Sequence, residues 1–189
     1  GDWSARTAGN LFKREWLKYI DANEVPQLLR RIRFWDMAAT EDSGCYTSGV
    51  LMGIAKDRTV YVLDVQRFRL SPNGNKTRIV ATAQLDGPSV AIHMEQEPGS
   101  SGKTVVSDYR EALVGFEFHG SRPSGSKLTR FGPFSSYAEG GRVVAVRGSW
   151  LTAWIDELEA APNGAYMDQT DATGGCFAAL AAWKQAPPP

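Results

Sequence analysis

The chain has 189 residues, enough for one domain with a sizeable core, and its 42% hydrophobic and 22% charged residues are ordinary for a soluble globular protein. Its 21 basic and 21 acidic residues cancel, which argues against tight, independent DNA binding but not against a protein held on DNA by a larger assembly. No apolar run approaches the ~20 residues needed to span a bilayer, so no membrane contact is expected.

The opening Gly1-Asp2-Trp3-Ser4 has no signal-peptide pattern, and a start on Gly rather than Met reads as a piece excised from a longer protein. Leu11, Phe12, Trp16, Leu17, Tyr19 and Ile20 recur at roughly helical spacing between Asn10, a plausible cap, and Pro26. They predict a short helix within an arm, 1–30, leading into the main domain, 31–185. Arg31 to Met37 alternates as a strand, and Thr47–Ala55 and Thr59–Leu70 follow as two more, joined by the short polar Lys56-Asp57-Arg58. These three should form an antiparallel meander. A helix is predicted over Asn73–Leu85, capped by Asn73 or Asn75, then a strand over Ser89–Gln96. A helix over Lys103–Leu113, a strand over Val114–His119 and a Gly/Ser/Pro loop over Gly120–Lys127 come next. Leu128–Glu139 reads as partly helical, Arg142–Val146 as a strand, and Trp150–Ala160 and Asp168–Gln185 as helices before a disordered tail, 186–189. Three meandering strands followed by alternating helix and strand is the order of a ribonuclease H-like fold: α/β, with a mixed central sheet flanked by helices.

Cys45 and Cys176 are far apart and neither has a CxxC partner, so they read as free thiols, a disulfide being the alternative. His93 and His119 form no zinc-ligand spacing with them. The acids are more informative. Asp36 ends a strand and shares a face with Ile32 and Phe34, where an unpaired carboxylate is costly; the plainer alternative is a cap for the turn Ala38-Ala39-Thr40. Glu95 likewise ends an apolar strand, sharing its face with His93 and Glu97; a solvated sheet edge is the alternative, and Glu97 is its nearest competitor. Asp168 and Asp171 lie on one face of a helix start, where the helix dipole alone would favour acids. Two-metal nucleases need such carboxylates converging on one point, because hard oxygen ligands hold Mg²⁺ or Mn²⁺, with the two ions roughly 3.5–4 Å apart.

Glu97-Pro98-Gly99-Ser100-Ser101-Gly102-Lys103-Thr104 matches G-x-x-x-x-G-K-[ST] except that Glu97 replaces the first glycine, and no later strand ends in an acid suited to hold magnesium. A nucleotide-binding loop is therefore an alternative. A bland glycine turn, or a helix start facing a DNA phosphate, accounts for the same residues.

Arg33-Phe34-Trp35-Asp36-Met37-Ala38-Ala39-Thr40, Glu95 to Lys103, Gly125-Ser126-Lys127 with Arg130, and Asp168-Gln169-Thr170-Asp171-Ala172 together resemble the C-terminal nuclease domain of phage terminase large subunits. The resemblance runs from about residue 10 to residue 180. It implies a ribonuclease H-like fold and a metal-dependent endonuclease, using two Mg²⁺ or Mn²⁺ ions, that cuts concatemeric double-stranded viral DNA during packaging. It places the catalytic acids at Asp36, Glu95 and Asp168. The third motif is Asp-Asp-x-x-Asp-Ala-like, but Met167 stands at its first position, so the carry-over falls on Asp168, with Asp171 a possible further metal ligand. Lys103, Lys127 and Arg130 are the expected DNA contacts, ordinary surface charge being the alternative for Lys127. The family further implies an ATPase domain on the same full-length chain, a small terminase subunit and a portal protein as partners, and action in the host cell cytoplasm. Besides the nucleotide-binding reading, a ribonuclease H-like module without chemistry that docks DNA or a partner is the competing alternative.

Overall fold

The computed structural model describes residues 11–37, 46–123 and 125–184. Cys45, the turn Ala38-Ala39-Thr40 and the tail 186–189 lie outside them. Seven strands form one mixed sheet: β1 (Lys18–Ile20), β2 (Leu28–Asp36), β3 (Thr47–Ala55), β4 (Val60–Phe68), β5 (Val90–Glu95), β6 (Phe118–Ser121) and β7 (Val143–Val146), in the order β1-β7-β4-β3-β2-β5-β6. The meander β2–β3–β4 is antiparallel, as its short connections require, whereas β5 pairs parallel to β2 and β6 parallel to β5. Among the described residues, five helices cover it: α1 (Pro72–Asp86), α2 (Ser100–Ala112), α3 (Lys127–Glu139), α4 (Leu151–Ala160) and α5 (Asp168–Ala182).

The two faces of the sheet carry separate cores, and the alternation within β2 divides them. Ile32 and Phe34 point to the side of Phe131, Phe134, Trp154 and Phe177 from α3, α4 and α5. Trp35 points the other way, to Ile79 and Ala83 of α1 and Tyr109 of α2. Arg33 shares the Trp35 face and is only 2% exposed. It survives burial because Asp86 accepts from its Nε and Nη2 at 2.7 and 2.8 Å while Asp64 lies 2.9 Å from Nη2.

Helix α5 crosses β2 and β3 so closely that only small side chains fit beneath it. A Cβ on Gly175 would stand 2.4 Å from the Phe34 ring, and one on Gly174 would stand 3.0 Å from the Arg130 backbone of α3. The α5 sequence is therefore small where it crosses the sheet, and the helix start is fixed relative to the end of β2. Cys176, a free buried thiol, fills the remaining space and contacts the carbonyls of Ile32 and Val50.

Some expected boundaries shift. The N-terminal residues do not form the predicted helix: a 3-10 turn, Arg14–Trp16, leads into β1, which adds to the sheet edge beside β7. Phe12 and Leu17 are nevertheless buried in the α3–α5 core. Doublets such as Leu11-Phe12 and Trp16-Leu17 fit either periodicity over so short a stretch. The cap of α1 is Ser71, not Asn73 or Asn75: its side chain accepts from Gly74 N at 3.2 Å, with Pro72 beginning the helix. Helix α2 opens at Ser100, ahead of Lys103, and the strand expected over Val114–His119 starts only at Phe118, after a turn through Gly115 at φ 95°.

Candidate active site

The register of the sheet brings the acids together. Asp36 ends β2 and Glu95 ends the adjacent parallel strand β5, so both lie at the same edge of neighbouring strands. The first turn of α5 delivers Asp168 and Asp171 to this edge, 8% and 1% exposed. The first turn of α3 delivers Lys127, which ion-pairs with Asp171, and Arg130, whose Nη1 donates to Glu95 Oε2 at 2.9 Å. Four carboxylates and two cations thus converge from β2, β5, α3 and α5.

Their electrostatics follow from crowding. Burial, followed by the charges of Glu95 and Asp171, pushes the Asp36 carboxyl up to about 8. Burial also raises Asp171, offset in part by Lys127. Burial pulls the Lys127 ammonium down, but its bond to Asp171 and the neighbouring acids outweigh this and raise it. One Asp171 oxygen, Oδ1, is buried without a hydrogen-bond partner. An orphan carboxylate oxygen among three further carboxylates is a poor arrangement for water alone and a good one for a hard divalent cation. Among the described residues, no three His, Cys, Asp or Glu side chains already stand in a chelating array. Lys127 and Arg130 each hold one of the carboxylates.

Helix α5 depends on a residue that the sequence reading missed. Glu157 of α4 is buried beneath the α5 start and accepts from the backbone N–H groups of Gln169 and Thr170 at 2.6 and 3.0 Å, and from Gln169 Nε2 at 2.7 Å. Met167, the residue at the cap position, offers no side-chain acceptor, so Glu157 caps the helix from a distance. Only its place on an otherwise apolar α4 face could have signalled it. Glu157→Ala should orphan two buried donors, lowering stability by about 2 kcal/mol and Tm by roughly 4–8 °C. It should also disturb Asp168 and Asp171, so that cleavage weakens together with melting in a paired thermal and activity assay.

Of the remaining expected residues, Glu97 is exposed and lies beyond the end of β5. Lys103 is exposed on the first turn of α2. The glycines of the loop before it have structural uses. Gly99 adopts φ 94°, and a Cβ on Gly102 would stand 2.0 Å from the Glu97 carbonyl.

A family model described as the terminase RNaseH-like domain matches residues 33–180. The chain belongs to this terminase family. The terminase domain has no match among curated proteins, but its fold is shared by several solved structures. The human cytomegalovirus terminase nuclease domain, Mn-soaked and inhibitor-bound, has a TM-score of 0.68 at 10% identity, covering 90% of this chain and 95% of that one. The large terminase nuclease of thermophilic phage G20c with bound zinc has a TM-score of 0.62 at 11% identity, covering 87% and 94%. The same phage nuclease is also known with magnesium and with cobalt. A large terminase from another thermophilic bacteriophage has a TM-score of 0.63 at 9% identity, covering 92% of this chain but 45% of that one. The ribonuclease H-like fold expected for this terminase domain is thus the fold it has.

Proposed function

We propose that this terminase domain is a divalent-metal endonuclease that cuts double-stranded viral DNA concatemers during genome packaging. The observation that carries the reading is the convergence of Asp36, Glu95, Asp168 and Asp171 at one sheet edge, in a chain of this family. The metal-bound phage and cytomegalovirus nucleases of the same fold support it.

Asp36, Glu95 and Asp168 are the catalytic acids in this reading, and with Asp171 they would hold two Mg²⁺ or Mn²⁺ ions. Bound divalent ions would supply an activated water and stabilise charge on the attacking and leaving oxygens of the phosphodiester. Asp36 is central: it stands among the other three acids, and burial holds its proton until a stronger positive charge arrives. Lys127 and Arg130 keep Asp171 and Glu95 neutralised beforehand. Once released, the two cations face the DNA and would orient its phosphates, with Lys103 as a more distant contact. The absence of any base-reading motif fits cutting with little sequence preference.

Residues 1–30 serve in this reading as the arm from an upstream ATPase domain of the same full-length chain, and 31–185 as the nuclease domain. The chain covers less than half of the larger phage terminase described above, which supports that division. The small terminase subunit and portal protein would be further partners, in the host cell cytoplasm; no helix among the described residues is long and apolar enough to cross a membrane. The test is plasmid cleavage by the purified chain with Mg²⁺, Mn²⁺ or EDTA. Nicking or linearisation with either metal and none in EDTA supports the reading. Full activity in EDTA, or none with any metal, contradicts it.

A further inference from the structure

A second cluster of basic and aromatic residues lies at the same end of the sheet, outside the six groups above. Arg67 stacks over the rings of Tyr46 and Tyr166, 3.9 and 4.8 Å from their centroids, and Arg69 stacks over Tyr46 at 4.2 Å. The two tyrosines meet edge to face with centroids 5.2 Å apart. Sheet register places the cluster. Ser48 of β3 pairs with Asp36 on one side and with Arg67 on the other, so Arg67 occupies the same face two strands away, a spacing of roughly 10 Å. Glu95 of β5, with its partner Arg130 of α3, lies across Asp36 in the opposite direction. Tyr166 precedes α5, two residues before Asp168, and is 42% exposed. Arg69 also lines a cavity of about 560 Å³ beside α1 and α2, whose wall Glu95 reaches as well.

We propose that Tyr46, Arg67, Arg69 and Tyr166 form a second DNA-contacting rim, holding the phosphate backbone of the duplex across Asp36 from the Glu95–Arg130 pair. The inference rests on the nuclease reading for its choice of partner. Its physical basis is the chemistry of the cluster. Stacking on a ring face fixes the direction of a guanidinium at small entropic cost, and the ring itself blocks none of its in-plane donors. Arg67 is fixed further by Glu157, 3.7 Å from its Nη1. The chain as a whole carries no net charge, so any grip on a polyanion must come from cations gathered where the DNA lies. A spacing of roughly 10 Å from Asp36 also suits a duplex, whose major groove is about 12 Å wide.

The test is fluorescence anisotropy of a short labelled duplex in EDTA, repeated over a salt series. Arg69→Gln should bind several-fold more weakly and reduce the slope of log affinity against log salt by about 0.9, one phosphate contact. Tyr166→Ala should also weaken binding, and Tyr166→Phe, which keeps the ring, should recover most of the loss. Arg142→Gln is the control. Arg142 stacks on Tyr137 at 5.0 Å in the same way, but it precedes β7, which runs parallel to β4, and so lies at the far end of the sheet. It should leave affinity and slope unchanged. Wild-type affinity and slope in both Arg69→Gln and Tyr166→Ala would overturn the proposal and leave the cluster a structural or protein-facing one. An equal loss in Arg142→Gln would overturn it too, by showing that position does not matter. The binding measurement needs neither metal nor cleavage, so a failure here is separate from a failure of the plasmid assay, which bears on the nuclease reading alone.

Discussion

Asp36→Asn should abolish cleavage while making the metal-free protein more stable. Removing this charge from the centre of the site should lower the rate by at least 10²–10³-fold, on the order seen when one electrostatic group of a preorganised site is lost. Its effect on stability has the opposite sign. The Asp36 carboxyl is raised from 3.8 to about 8 by burial and by Glu95 and Asp171. Between those values the unfolded chain has released a proton that the folded chain retains, so stability falls as pH rises through this window and levels off above it. Asn mimics the neutral acid and removes the dependence. In EDTA the variant and wild type should melt together near pH 4 and separate as pH rises. Near pH 8 the variant should be ahead by a few kcal/mol, at about 1.4 kcal/mol per pH unit, or roughly 5–10 °C in Tm. Added Mn²⁺ should reverse the order by raising the wild type alone. Melting curves over pH, with and without metal, check both signs. A variant that cuts at the wild-type rate would remove Asp36 from the site.

Glu95→Gln should be nearly as damaging to cleavage, and Glu97→Gln should be close to neutral. The two residues share a face by strand alternation, so sequence alone separates them weakly. Glu95 lies inside β5, in register with the end of β2, and pairs with Arg130. Glu97 lies past the strand, exposed, beside a backbone that Gly102 approaches closely. A loss of at least 10²-fold is expected for Glu95→Gln, on the scale of removing one group from a preorganised site, against a change within about threefold for Glu97→Gln. Plasmid cleavage rates for the two purified variants decide it. The reverse ranking would move the catalytic acid two residues along the chain.

Much of this was legible because the fold writes itself in local patterns. The short polar link Lys56-Asp57-Arg58 between two apolar runs specified a hairpin, and β3 and β4 form one. Alternation in β2 placed Asp36 on the face of Phe34, the side on which α5 packs. Asp168 and Asp171 were readable as one helix face, and the glycines after them as a close approach only once Phe34 and Arg130 stood opposite. What was hidden depended on distant partners. No local pattern pairs Lys127 with Asp171 across 44 residues of chain, or Glu157 with the N–H groups of α5. β1 was misread because an edge strand of three residues carries too few alternations to be told from a helical turn. Tyr46, Arg67 and Tyr166 could not be linked in the sequence because they meet only when the start of β3, the end of β4 and the approach to α5 are brought together.

The central claim is that the four carboxylates at this sheet edge hold divalent metal, and an anomalous difference map from crystals soaked in Mn²⁺ tests it most directly. Manganese peaks bounded by Asp36, Glu95, Asp168 and Asp171, with Lys127 drawn away from Asp171, are the predicted result. A map with no manganese at these acids in fully soaked crystals, or with manganese bound only elsewhere, would contradict it.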